Sequence, residues 1–528
     1  MSAATVASAR PGPGPSRLVL PPSARALWLE FKRNAVPYVL PLLAAVFLFD
    51  TLRTADGYPP VWTLRASVID DHSLFEFTAF AAGLAAWTGS REGRRKTGDL
   101  VATTARAAWA RYGLTLAATL AWLLLALLAA VAVIYIQTAV QATWGGPPLW
   151  PVFVGVAGVT VATMTGFAAG VFFPGRFTAP LAAILVLVLS QIGFRQALGV
   201  APGSGTYALL SPEAGPVTVD AGVYYHAAPD VSIVQVMFMG GIAMALFGVL
   251  GLAPAGRQLA GRGGRVSLPA ALARDGGWLP GTVAVLLVAC GVAAASTAFT
   301  LAGTAKPDAL GGWEIPALHS AASDQPVAAA PDCTFRSGFQ VCVHPAFGFD
   351  LDSVAALLGP VGVEIAGLPG APARAVELAS ESGGQQVQSG IAGNPPVFDF
   401  TANHVGLFFG LFNGYDPVGW AEGFQEGLLI PFLEEPLGQG GLAPGGLVPL
   451  DAGQQAVEDG LRTAAGTPPQ DPFDGMNMNG KVTTSQTEAA VSAAARRFAA
   501  LSASARHAWL AAHLTALRAG QVTLAQLP

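Results

Sequence analysis

The chain has 528 residues, 52% of them hydrophobic and only 12% charged, with a net charge of −5. Soluble domains carry about 25% charged residues, so an ordinary water-soluble globule is excluded. The acidic balance also argues against nucleic acid as a partner.

Residues 1–22 are rich in Pro and Gly and have no apolar period, the composition of a disordered tail. No cleavable signal peptide is expected, because residues 1–34 are Pro/Gly-rich and charged rather than apolar. Over 23–34 the character changes. Ser23 is a candidate helix cap, and Leu27, Trp28 and Phe31 share one face, with Arg25, Lys32 and Arg33 elsewhere. That pattern predicts an interfacial helix with Trp at headgroup depth, or else the first turns of the following span.

Seven apolar stretches follow, at 35–52, 73–89, 112–136, 149–173, 177–194, 231–253 and 279–303. Crossing about 30 Å of hydrocarbon takes about 17–25 helical residues. The second stretch is the shortest and carries Glu76; the third, Tyr112 to Ile136, has no charge. The reading is an α-helical polytopic membrane protein of about seven transmembrane helices. Lys and Arg set its orientation. With the N-terminus inside, sixteen basic residues fall in inner segments, against Arg53, Arg65 and Arg195 in the short outer ones. Residues 304–528 then lie outside, with a net charge of −12 against +7 for the first 303. The expected location is the plasma membrane, with a cytoplasmic N-terminus and an extracytoplasmic C-terminal domain.

Between the second and third spans, residues 90–111 form the longest cytoplasmic loop inside the membrane core. Its second half reads as a short helix, with Thr97 or Asp99 as cap and Leu100, Val101, Thr104 and Ala108 on one side. In the fourth span Gly158, Ala162, Gly166 and Gly170 recur every four residues. This ridge without side-chain bulk marks a helix–helix seam, within the chain or between chains. The outer stretch 195–230 is rich in Gly and Pro, and 206–225 has the mixed character of a segment that dips into the outer leaflet. Residues 254–278 read as a cytoplasmic linker and Cys290 as a packed small hydrophobe in the seventh span.

The tail reads as an α+β domain. Strands are expected at 339–343 and 362–365, a helix at 352–358, long helices at about 486–503 and 504–519, and loops at 436–449 and 466–480. Cys333 and Cys342, nine positions apart, are expected to form a disulfide across a hairpin, as an oxidising compartment permits; the alternative is two reduced thiols.

Catalytic motifs are sparse. Gly475 to Val482 approaches a phosphate loop, but Val482 stands where Ser or Thr must bind magnesium. His72 and Glu76, with Asp70 and Asp71 beside them, have the spacing of a metal or proton site or of a polar helix start. Asp399 and His404 have no nucleophile beside them. Leu287 to Cys290 matches a lipobox but is internal, and the apolar run continues to Leu301. No catalytic residue, metal site or bound cofactor is expected in this chain.

The first 253 residues resemble the membrane subunit of an ABC-2 type exporter. Four ordered features carry the likeness: an interfacial helix before span one, a loop helix between spans two and three, closely connected spans three to five, and a longer outer loop before span six. The loop text Arg91-Glu92, Thr97-Gly98-Asp99-Leu100 and Thr103-Thr104 resembles the family's coupling helix, although Asp99 precedes Leu100 where the family tends to place Glu after it. The resemblance implies a six-helix transmembrane domain over 23–253. It also implies that Arg91, Glu92, Arg94, Arg95, Lys96, Gly98, Asp99, Leu100 and Thr104 couple to a separate ABC ATPase. That subunit would hold ATP and magnesium, and a second permease copy or paralogue would complete a dimer within the membrane lipids. The seventh helix, 279–303, and the outer domain depart from the six-span pattern. Two other readings stand beside this one: a membrane-anchored sensor or binding protein with an outer ligand domain, and a membrane-bound enzyme with an unrecognised outer site.

Overall fold

The computed structural model describes residues 22–34, 36–55, 60–68, 74–96, 108–197, 204–212, 221–226, 228–261, 278–307, 313–377, 390–400, 425, 427–433, 450–466 and 485–528. The membrane part opens with α1 (Pro22–Arg33), α2 (Val36–Ala55), α3 (Trp62–Val68), α4 (Leu74–Gly89) and α5 (Arg91–Arg94). It continues with α6 (Ala108–Gln141), α7 (Trp150–Phe172), α8 (Thr178–Ala197), a 3-10 helix (Ser204–Leu210), α9 (Ala221–Tyr224), α10 (Asp230–Gly261) and α11 (Trp278–Ala302). The first helix starts at Pro22, so Ser23 lies inside it rather than capping it. Proline suits a first helical position, where its missing N–H has no partner to lose.

Among the described residues six helical stretches are long and apolar enough to cross a membrane: Trp109–Gln141, Trp150–Phe172, Thr178–Ala197, Asp230–Leu252, Gly281–Ala302 and Pro345–Ile365. The bent pair Ala24–Arg33 and Val36–Phe49, at 62°, makes a seventh if counted as one span. The chain is therefore a polytopic helical protein with a small sheet region. Pro345–Ile365 differs in kind, because its buried face packs under the sheet described below. In its place the chain reverses through α4. That helix has only 16 residues, about 24 Å at the α-helical rise.

Helix α4 is short but enclosed. Ala81, Ala82, Ala85 and Ala86 are wholly buried. A Cβ on Gly166 would come within 2.0 Å of the Ala82 carbonyl oxygen, and one on Gly170 within 2.2 Å of that of Ala86. Only glycine permits this approach, and close backbone contact substitutes in lipid for the water-driven packing of soluble cores. A second seam joins α10 to α11, where Gly241 and Gly248 face Gly291 and Ala284. The Gly241–Gly248 interval is two helical turns. Cys290 lies on the exposed side of α11; the expectation of a packed side chain is corrected, because the residues facing α10 are the adjacent Gly291 and, about two turns earlier, Ala284.

The two ends of the bundle are distinct. Helix α6 has 34 residues and spans roughly 50 Å. Near its start Arg111 pairs with Glu92. Near its end Tyr135 meets Trp62 edge-on and donates to the Pro148 carbonyl. The connections 60–68, 142–149, 204–212 and 221–226 thus share one end with the sheet region, and α1, residues 90–96 and 173–177 share the other. Each crossing helix reverses the direction of the one before.

Past α11, β1 (Lys306–Pro307) pairs antiparallel with β2 (Trp313–Glu314). A five-stranded mixed sheet follows, in the order β3 (Asp332–Arg336), β4 (Phe339–Val343), β5 (Arg374–Glu377), β7 (Val397–Phe400), β6 (Gly390–Ala392). The β3–β4 and β6–β7 pairs are antiparallel; β4–β5 and β5–β7 are parallel. Helix α12 (Leu351–Ile365) makes the β4-to-β5 crossover. Residues 362–365 are the last turn of this helix and not a strand. The burial stripe Val354, Ala355, Leu358, Val361, Ile365 keeps its helical spacing through Pro360. Four of these, Val354, Leu358, Val361 and Ile365, at roughly 1.5–3 kcal/mol each, outweigh the roughly 3 kcal/mol of an interior proline.

The remaining helices are a short one at 427–433, α13 (Ala452–Ala464), α14 (Ser485–Ala499) and α15 (Ala503–Arg518). Ser502 separates the last two by capping α15 with an accepted bond from the Ala505 N–H. Phe398, Phe400, Phe432, Phe498, Leu461 and Leu510 fill one core with the α12 stripe. Val61, Leu64, Val223, Tyr224 and Tyr225 belong to that same core, so the sheet region is built partly from the connections between earlier spans.

Candidate functional site

The turn after α4 is the most highly charged part of the membrane end. Arg91 reaches Glu30 of α1 at 3.5 Å, and Glu92 lies 3.8 Å from Arg111 of α6. One carboxylate and one guanidinium of the same turn therefore tie it to two other helices. Arg94 folds back on α4, with its guanidinium 3.3 Å from the centre of the Trp87 ring and Nη2 donating to the Trp87 carbonyl at 2.8 Å. Burial, and then the neighbouring charge of Arg95, hold the Arg94 pKa below its ordinary value. Arg95 closes the turn through its N–H to the Arg91 carbonyl. Lys96 follows in the left-handed region, at φ 53°. Gly98, Asp99, Leu100 and Thr104, with the cap candidate Thr97, lie outside the described residues.

Helix α1 is joined to the same end. Phe31 stacks on Trp122 of α6 at 4.1 Å, and the Trp122 indole donates to the Phe31 carbonyl. Trp28 stacks on Phe31 at 6.0 Å and carries Lys32 over its ring. Leu27 is exposed beside them. The α1–α2 bend is fixed by Asn34, which is 2% exposed. Its amide donates to Thr119, and its carbonyl oxygen accepts from the Val36 N–H. Of the small-residue ridge on α7, Gly166 and Gly170 face α4, Ala162 is buried, and Gly158 meets Pro212 beyond the 3-10 helix.

The opposite end holds a buried polar junction. Asp230, the first residue of α10, is wholly buried. Its Oδ2 accepts from the Ile315 N–H and from His319 Nδ1, both at 3.1 Å, and His319 Nε2 reaches Asp324 at 3.0 Å. With a carboxylate on each nitrogen, the ring donates twice, as imidazolium does. Burial lowers the His319 pKa, but the bonds and charges of Asp324 and Asp230 outweigh it and hold the pKa above its ordinary value. Nearby, Tyr224 donates to Glu377, whose other oxygen accepts from the His344 N–H at 2.7 Å. His344 stands edge-on to Trp144 and Tyr224, and burial holds its pKa low against the opposing charge of Asp332. Thr143, just past α6, donates to the Pro345 carbonyl at 2.6 Å.

Cys333 and Cys342 are direct partners on β3 and β4 and are joined as a disulfide. Among the described residues no group of three or more His, Cys, Asp or Glu side chains could hold a metal ion. Glu76 is exposed on α4; Asp70, Asp71, His72 and His404 lie outside the described residues. Sequence reasoning missed Asp230, His319, Tyr224 and Glu377. The only local signal was a lone carboxylate opening a span.

No family model, curated protein or solved structure matches this chain.

Proposed function

We propose that the chain is the membrane-spanning subunit of an ATP-driven exporter of the ABC-2 type, coupled to a separate ATPase through the loop that begins at Ser90. One observation carries this reading: the turn 91–96 is ion-paired to both α1 and α6 while it caps α4, the helix most tightly seated against α7. A push delivered there reaches three helices at once and, through the glycine seam, a fourth. The amphipathic α1, bent from α2 by 62°, supports it, because such a helix lies along the membrane surface where an ATPase would approach. In this reading the end bearing α1 and residues 91–96 is cytoplasmic, the sheet region is extracytoplasmic and the membrane is the plasma membrane. A second permease copy completes the pathway, and ATP and magnesium belong to the partner.

The test is purification of the full chain from native membranes, with the co-purifying ATPase identified by its sequence. Glu92→Lys combined with Asp99→Lys is expected to abolish recovery of the ATPase while the chain itself still assembles. Undiminished recovery refutes this loop as the dock. A sensor or binding role draws support from the outer junction, where connections between spans share a core with the sheet region. Signal transmission without any ATPase partner would favour that role.

A further inference from the structure

Between α2, α4 and α8, at the end of the bundle that carries α1, a groove of about 370 Å³ opens sideways, toward the low end of ligand-site volumes. Val39, Phe80, Leu84, Trp87, Ala179 and Ala183 line it. Its one hydroxyl, on Thr88, is spent on the Ala85 carbonyl. Phe80 and Trp87 are about half exposed, at 52% and 47%, on a bundle face that meets hydrocarbon. From Trp87 to Phe80 is seven residues of helix, so the groove runs roughly 10 Å inward from its rim.

Basic residues stand close in the chain to the groove lining on each of its three helices. Lys32 and Arg33 end α1 just before Val36. Arg94 lies on the Trp87 ring, with its Nε buried and unpartnered. Arg176, three residues before Ala179, stands over the Phe177 ring. Among the described residues the acids at this end are Glu30 and Glu92, which pair with Arg91 and Arg111. Among the described residues Lys32, Arg33, Arg94, Arg95, Lys96 and Arg176 have no carboxylate within ion-pairing distance. A tryptophan marks headgroup depth, so an apolar channel runs from a basic collar at the headgroups toward the bilayer interior. We infer that this groove is a binding site for one anionic phospholipid, its acyl chain along Phe80 and Leu84 and its phosphate at Arg94 and Arg176. Basic pockets between helices on the cytoplasmic side recognise lipid headgroups in this manner. An anion here also relieves the charge of Arg95 on Arg94. The groove and its collar stand apart from whether an ATPase docks on the turn.

The full chain, reconstituted in a bilayer of equimolar phosphatidylglycerol and phosphatidylcholine with matched acyl chains, is examined by native mass spectrometry for retained lipid. Phosphatidylglycerol is expected to be retained over phosphatidylcholine. Arg94→Ala should lower that retention roughly fivefold. Val39→Trp, which fills the groove without altering a charge, should remove it as well. Phe80→Trp serves as a second filling variant, and thermal unfolding verifies that each variant folds. Equal retention of the two lipids overturns the proposal. So does loss with Arg94→Ala but not with either folded filling variant, which would assign the arginines to a protein partner or to surface charge alone.

Discussion

At the scale of single residues, His319 is the group whose ionisation the fold controls most visibly. Its pKa is raised in the folded chain, so its stabilising contribution is complete below the ordinary histidine value. The contribution fades as pH rises through the raised one. His344 has the opposite sign: burial lowers its pKa, and its contribution weakens as pH falls below the ordinary value. The two therefore oppose each other in any simple melting profile. A difference between chains isolates His319. The gap in unfolding midpoint between the native chain and His319→Asn should be widest below about pH 6.5 and close at higher pH; a gap independent of pH would contradict the ion-paired geometry. The sequence did not disclose this cluster, because Asp230 and His319 are 89 positions apart. No periodicity or motif links side chains at that distance. The Cys333–Cys342 pair was legible for the converse reason: nine positions on a hairpin bring two residues opposite. Replacing both with Ser should cost the sheet region about 2–3 kcal/mol from the loss of a short-loop constraint, read by denaturant unfolding of the full chain. An unchanged midpoint would mean that the bond adds nothing to the fold.

At the scale of elements, packing in the membrane part is decided by backbone approach. Gly170→Leu places a side chain where the Ala86 carbonyl already lies, and overpacking of this kind costs about 1–3 kcal/mol or more. Gly240 has nothing within 4 Å of where its Cβ would be. Gly240→Leu should therefore leave the unfolding midpoint in detergent nearly unchanged while Gly170→Leu lowers it sharply. Equal effects would remove the α4–α7 seam from the account. The four-residue recurrence on α7 was readable because a single helix carries the whole pattern. The α10–α11 seam was harder, since its glycines are divided between two helices and only the pairing reveals the fit. The end of α12 was misread because Pro360 ordinarily stops a helix and Val363 and Ile365 favour strands. Burial of Val361 and Ile365 overrode both local preferences.

At the scale of the whole molecule, seven apolar stretches and the distribution of Lys and Arg were enough to foresee alternating helices with two unlike ends. Hydrophobic runs report transfer into lipid directly, without needing partners. What composition did not convey is that the sheet region is no separate appendage. Val61, Leu64 and Tyr224 reach it from connections more than a hundred residues upstream in the chain, and only the three-dimensional return of those loops joins them. A sheet region at one end and a charged turn at the other, held on one bundle, are the two parts on which the exporter proposal draws.

The sidedness of those two ends can be measured with the four lysines of the chain. Lys32 and Lys96 belong to the end with α1 and the charged turn. Lys306, 59% exposed beside Glu314, and Lys481 follow the last span. A membrane-impermeant amine reagent applied to intact cells, with sites read by mass spectrometry, should modify Lys306 and Lys481 and leave Lys32 and Lys96 untouched until lysis. Modification of Lys96 in intact cells, or protection of Lys306 until lysis, would contradict the orientation on which the exporter proposal stands.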